Sequence, residues 1–247
     1  MHWLPPNGAL RGVALDHLLG WNLTIVFWLF VAAQVLLVLA LVRRWAGRSG
    51  AKAGDETHSR ARYLFLHVVP LLGIVGLYLW MLVTSHGLWA ARRESGVAAQ
   101  AIQVEVTGVQ FVWYFRYPGR DGVYGATKPT LVSAPTGNPL GLDANDPHTA
   151  DDVVSSILVL PAGQPVEITL RTQDVIHGFF VPGMRLKQDA IPGMTGHLEF
   201  TPETPGDYVI LCSQVCGLGH YRMQAQMRVV MPEQFNAWMA TREGAAK

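Results

Sequence analysis

Charge is what this sequence of 247 residues has least of. Asp, Glu, Lys and Arg make up only 15% of the chain and nearly cancel to a net +1. That balance gives no bulk electrostatic case for binding nucleic acid. The charges are also missing in a pattern. From His17 to Val42 there is no Lys, Arg, Asp or Glu, and from Tyr63 to Ala91 there is again none. Cysteine is scarce too, with only Cys212 and Cys216, and no C-x-x-C-H sequence occurs. A disulfide-dense scaffold and covalently attached haem are therefore excluded.

Both charge-free runs exceed the roughly 20 apolar residues that a membrane-spanning helix needs. They predict two transmembrane helices, at about 20–42 and 63–88. Residues 1–20 lack the basic start of a cleaved leader, and the following apolar run is too long for one. Pro70, Gly73 and Gly76 mark where the second helix could kink or let a neighbour approach. Between the runs lie Arg43, Arg44, Arg48, Lys52, Arg60 and Arg62, whereas Arg11 is the one basic residue before the first helix. Positive residues stay cytoplasmic. The reading is a two-pass protein of the inner (plasma) membrane, with its N-terminus and everything after about Ala91 on the periplasmic side, and lipid as a partner.

Residues 1–95 are thus assigned to an N-terminal segment and helix hairpin, and residues 96–247 to an outer domain. The outer domain reads as short strands: residues 101–117, 155–163, 165–172, 196–202, 206–212 and 225–232. Each is rich in β-branched or aromatic residues and bounded by Pro, Gly or Asp. That rhythm predicts an all-β Greek-key sandwich or barrel. Residues 118–152 are rich in Gly, Pro, Asn and Asp and predict a long surface loop. Pro232 opens a short C-terminal helix.

The two cysteines fall within LCSQVCGLGHYRM. Alone they could form a disulfide. His220 and Met223 follow at once, and two sulfur ligands, an imidazole and a thioether form a soft set that suits copper. Zinc competes for Cys and His, but methionine is not among its usual ligands. His177, in RTQDVIHGFFVPGM, is the candidate second histidine, placed where a strand gives way to a turn. His148 and His197 read as ordinary loop histidines, and His67 and His86 as isolated residues of the second apolar run.

CSQVCGLGHYRM resembles the copper motif C-S-E-x-C-G-x-x-H-x-x-M of cytochrome c oxidase subunit II. DVIHGFFVP and KQDAIPG are similar to two further motifs of that family, in the same order. The resemblance implies a cupredoxin-like outer domain carrying a dinuclear copper centre of the CuA type. Cys212 and Cys216 would bridge the metals, His177 and His220 would each cap one, and Met223 and the main-chain oxygen of Gln214 would be weak ligands. It further implies electron acceptance from cytochrome c and delivery to a haem-copper catalytic subunit that reduces oxygen.

Two departures stand out. Gln214 occupies a position where the family usually has Glu, whose carboxylate also reaches a magnesium ion at the subunit interface. A neutral amide is a poorer magnesium ligand, so the resemblance lends no support to magnesium held by Gln214. The family's aromatic run before the long loop begins with a Trp taken as the point where electrons arrive. Here that position is Phe111, and Trp113 follows. The carboxylates Asp143, Asp146, Asp151, Asp152 and Glu167 lie in a stretch without Lys or Arg and could steer a basic donor. Two other functions share the copper: a nitric oxide reductase subunit of the same superfamily, and a membrane-tethered copper-binding or chaperone protein.

Overall fold

The computed structural model describes residues 4–47, 60–94 and 101–245. The chain forms two compact units, residues 16–95 and a second made of residues 1–15 with 96–247.

The first unit holds two long helices, α1 (Gly12–Ala46) and α2 (Arg60–Glu94), each of 35 residues. At about 1.5 Å per residue either exceeds the roughly 30 Å hydrocarbon core of a bilayer. Their apolar side chains are left uncovered: Trp28 is 63% exposed and Leu36 67%. Helices that are apolar on every side and unburied by their own chain need lipid or protein around them. Pro70 sits inside α2 without ending it. Most of the basic turn between the helices, including Arg48 and Lys52, lies outside the described residues.

The second unit is a sandwich of two five-stranded sheets. One contains β1 (Ile102–Val109), β2 (Val112–Tyr117), β3 (Val153–Ser155), β5 (Val166–Thr172) and β8 (Gly196–Phe200) in the order β3-β2-β1-β5-β8. The other contains β4 (Ile157–Pro161), β6 (His177–Val181), β7 (Leu186–Ala190), β9 (Gly206–Cys212) and β10 (Gln224–Val230) in the order β4-β10-β9-β6-β7. Alternate residues face inward, as the period of a strand requires. Val166, Ile168 and Leu170 of β5 meet Phe179 and Val181 of β6, Ile210 of β9 and Met227 and Val229 of β10 in one buried core. The core is closed at one edge by α3 (Pro232–Ala245), whose Phe235 and Trp238 pack on Tyr117. The Tyr117 hydroxyl donates to the Val159 carbonyl and accepts from the Val159 N–H, so its burial leaves no polar group unpaired.

Three features differ from the sequence reading. The run 101–117 is a hairpin, with β1 and β2 joined at Gln110–Phe111. No Gly, Asn or Asp marks that turn, which is held by partners distant in sequence. His177 is the first residue of a strand, because Phe179 and Val181 supply inward-facing bulk. The long loop is structured by its own carboxylates. Asp152 is buried against Arg116, 2.5 Å away, and also accepts the Gly125 N–H. Asp143 pairs with Lys128, Asp146 accepts the N–H groups of Ala126 and His148, and Asp151 accepts those of Arg120 and Asp121. Glu167 accepts from Gln103. The loop's own carboxylates, so engaged, form its internal scaffold.

Residues before α1 join the sandwich as well. Gly8 donates to the Gly183 carbonyl, Leu10 to that of Thr201, and Glu203 returns a bond to Gly8. Arg185 reaches the Pro5 carbonyl, and Ala9 is buried.

Candidate metal centre

Every candidate ligand lies at one end of the sheet that holds β6, β9 and β10. Cys212 ends β9, residues 213–219 form a loop, His220–Arg222 makes one 3-10 turn, and Met223 precedes β10. The pairing of β6 with β9 sets Phe179 opposite Cys212, which brings His177 beside the cysteine. Gly178 lets the strands close: a side chain there would run into Ser213, whose N–H bonds to the Gly178 carbonyl at 2.9 Å. Gly108 does the same under the imidazole, since a Cβ would stand 2.9 Å from the ring of His177.

The two sulfurs are 3.9 Å apart and both cysteines are free. A disulfide needs about 2.05 Å, so the bland reading of the pair is not the one the fold adopts. Around Cys212 Sγ lie His177 Nδ1 at 4.0 Å and the Gln214 carbonyl at 3.2 Å. Around Cys216 Sγ lie His220 Nδ1 at 3.7 Å and Met223 Sδ at 3.7 Å. Two donors about 2.0–2.3 Å from one ion in a tetrahedral arrangement stand roughly 3.3–3.8 Å from each other. The observed spacings are close to that range. Six donors grouped about two sulfurs also exceed the four of a structural zinc site, and the thioether favours copper. The residues present therefore fit a soft metal centre with a His177–Gln214 side and a His220–Met223 side.

Two acidic groups at the cluster are shifted in opposite directions. Burial, reinforced by the neighbouring Cys212 thiol, pushes Cys216 up to about 11. The metal-free protein keeps that thiol protonated, so metal must displace a proton. Asp174 behaves oppositely. Burial works to raise it, but the Gln110 N–H, His177 and the Val175 N–H outweigh burial and hold it below the usual carboxylate range.

The aromatic candidates separate clearly. Trp113 is fully buried and stands edge-on to His177, with ring centroids 5.8 Å apart, and to Phe179. Phe111 is partly exposed at the hairpin tip and covers Gly217 and Gly219 of the cysteine loop. Gln110 beside it donates its amide to the Cys216 carbonyl at 2.5 Å. The Gln214 side chain donates to Asp189 at 2.8 Å, within the KQDAIPG segment. His148 pairs with Asp121 and His197 lies 3.6 Å from Glu167, so neither belongs to the cluster. Sequence reasoning gave no role to Asp174, Asp189, Gln110 or Gly108, although Asp174 and Asp189 stand inside the DVIHGFFVP and KQDAIPG motifs and an isolated Gly within a strand pattern marks a close approach.

Residues 102–231 match the family model for the periplasmic domain of cytochrome c oxidase subunit II. An alternative cytochrome c oxidase subunit 2 of Bradyrhizobium diazoefficiens is 35% identical over 88% of this chain and 78% of its own length. The chain belongs to the cytochrome c oxidase subunit II family. It is accordingly a membrane-anchored subunit of an oxidoreductase complex of the haem-copper oxidase type. A cytochrome c oxidase subunit 2 of Synechocystis is 31% identical over 62% of the chain, which spans only 36% of that longer protein. Among solved structures, the periplasmic domain of subunit II of a Bradyrhizobium japonicum cytochrome oxidase aligns with a TM-score of 0.45 and 25% identity, over 60% of this chain and 97% of that one.

Proposed function

We propose that this subunit II is where electrons enter its oxidase. His177, Cys212, the carbonyl of Gln214, Cys216, His220 and Met223 would hold two copper ions of the CuA type. The donor is a cytochrome c, and the acceptor is the haem-copper subunit of the same complex, where oxygen is reduced. The observation that carries the reading is the convergence of all six donors on two free sulfurs 3.9 Å apart. Bound copper supplies one-electron redox chemistry. The chain's own residues do the rest. Strand ends fix His177, Cys212 and Met223, so the donors need not rearrange when charge changes. Trp113 shields one side of His177 from water, and Phe111 caps the cysteine loop at the surface.

Electrons would arrive over Phe111, with Trp113 as the buried aromatic behind it. The domain would lie on the periplasmic side, a reading supported by the basic residues between the two apolar runs. Oxygen is favoured over nitric oxide as terminal acceptor because the Bradyrhizobium and Synechocystis relatives are both cytochrome c oxidase subunits. The Gln214 amide is engaged by Asp189 of its own chain, which agrees with a subunit that offers no magnesium ligand there.

The test is copper loading of the full-length chain in detergent, followed by electron paramagnetic resonance. One electron shared equally by two copper nuclei gives a multiline hyperfine pattern. A pattern from a single isolated copper, or a colourless disulfide-linked product, would refute the proposal.

A further inference from the structure

The centre described above depends on a residue that binds no metal. Asp174 lies three residues before His177, and its carboxylate is fully engaged. Oδ1 sits 2.8 Å from His177 Nε2 and accepts the Val175 N–H at 2.7 Å. Oδ2 accepts the Gln110 N–H at 2.7 Å. An ionised carboxylate only accepts, so a neutral His177 must carry its proton on Nε2. Nδ1, which faces Cys212 Sγ, is then left with its lone pair free. The same carboxylate fixes the backbone of Gln110, whose side-chain amide grips the carbonyl of Cys216. One side chain thus touches the histidine from β6 directly and reaches the loop after β9 through Gln110.

We infer that Asp174 is the positioning residue of the centre: it sets the tautomer and angle of His177 and, through Gln110, the place of the Cys216 loop. The inference rests on the copper reading above, but it makes a claim about the metal-free chain too. Partners behind a metal's ligands orient them and raise their basicity, and their loss commonly costs about 10–100-fold in affinity. Asp174→Asn is the sharpest change. Its one remaining oxygen cannot serve the Gln110 N–H as well as the His177 Nε2–H and Val175 N–H. Either the Cys216 loop loses its tie through Gln110, or an amide N–H stands against Nε2 and favours the tautomer protonated on Nδ1. Asp174→Ala leaves the buried Nε2–H without a partner and frees the ring.

The experiment uses the full-length chain in detergent, with copper as the probe. For wild type, copper affinity, the hyperfine pattern and the reduction potential are measured alongside thermal unfolding of the metal-free form. Asp174→Asn is expected to bind copper about 10–100-fold more weakly, with an altered hyperfine pattern and a raised potential. Raising follows because the anionic partner that favours the more oxidised site is gone. Unfolding of the metal-free variant is expected to stay close to wild type. An Asp174→Asn protein with wild-type affinity, pattern and potential would overturn the inference. Histidine-labelled nitrogen NMR of the metal-free wild type gives an answer that needs no variant to fold. His177 protonated on Nε2 is expected, and protonation on Nδ1 would overturn the assignment. Failure of wild type to bind two coppers would instead strike the copper reading, so the two failures are distinguishable.

Discussion

Residues 212–223 and residues 118–152 are both irregular stretches of the sandwich, yet they are built by opposite means. The shorter has its candidate donors close in sequence, and in the proposed reading its shape serves an outside ion. Two sulfurs, an imidazole, a thioether and a carbonyl converge there within 3.2–3.9 Å of a neighbouring sulfur. The longer serves itself. Its carboxylates accept the loop's own N–H groups, and Asp152 is sealed in with Arg116. The carboxylates of the longer stretch close turns and ion pairs, whereas the thiols of Cys212 and Cys216 meet one another and the other candidate metal ligands.

If that contrast is right, the loops should fail differently. The largest effect is expected from Cys212→Ser. Removal of a bridging sulfur should cost more copper affinity than the roughly 10–100-fold typical of supporting residues. Metal-free stability should move by less than about 1 kcal/mol, because Cys212 is only partly buried against the core and serine is close to it in size. Copper titration beside chemical unfolding of the full-length chain checks both halves. Arg116→Ala should do the reverse. It strands a buried Asp152 and should destabilise the sandwich by about 3–5 kcal/mol, while the copper spectrum of the surviving folded protein stays unchanged. A changed spectrum would break the claimed independence of the loops.

Gly108→Ala sharpens the boundary between core and site. The added methyl meets His177 and Trp113, so about 1–3 kcal/mol of stability and roughly tenfold in copper affinity should be lost together. The smallest effect is expected from pH on the long loop. Asp121 is held below its ordinary range, first by the His148 hydrogen bond, and His148 is held above its own, first by Asp121. The aspartate's contribution is present above the ordinary carboxylate value and is lost as pH falls through its lowered value. The histidine's contribution is present below the ordinary imidazole value and is lost as pH rises through its raised one. Amide protection around residues 119–123, measured relative to the intrinsic exchange rate at each pH, should therefore be greatest between those values and smaller on either side, weakly so because the pair is exposed and screened by salt.

Much of the centre was legible because its donors are neighbours in the chain. Cys212, Cys216, His220 and Met223 announce a soft metal by type and spacing, and the motif around His177 supplied the distant partner. The apolar runs were equally plain, since a bilayer demands length and absence of charge. What was illegible is what depends on pairing across the fold. Gln110–Phe111 carries no turn signal, and its geometry comes from Asp174 and from the Cys216 loop. Asp174 looks like any residue after a strand until Nε2 of His177 is seen against it. Residues 8–10, assigned with the membrane helices by proximity in sequence, are held by Gly183, Thr201 and Glu203 far along the chain.

The central claim is that the two free cysteines organise a pair of coppers. The most direct measurement is the copper content of the purified, folded full-length chain, counted against protein concentration and read together with its hyperfine pattern. The account predicts two coppers per chain sharing one electron. One copper per chain with an isolated-ion spectrum, or none with Cys212 and Cys216 oxidised to each other, would contradict it.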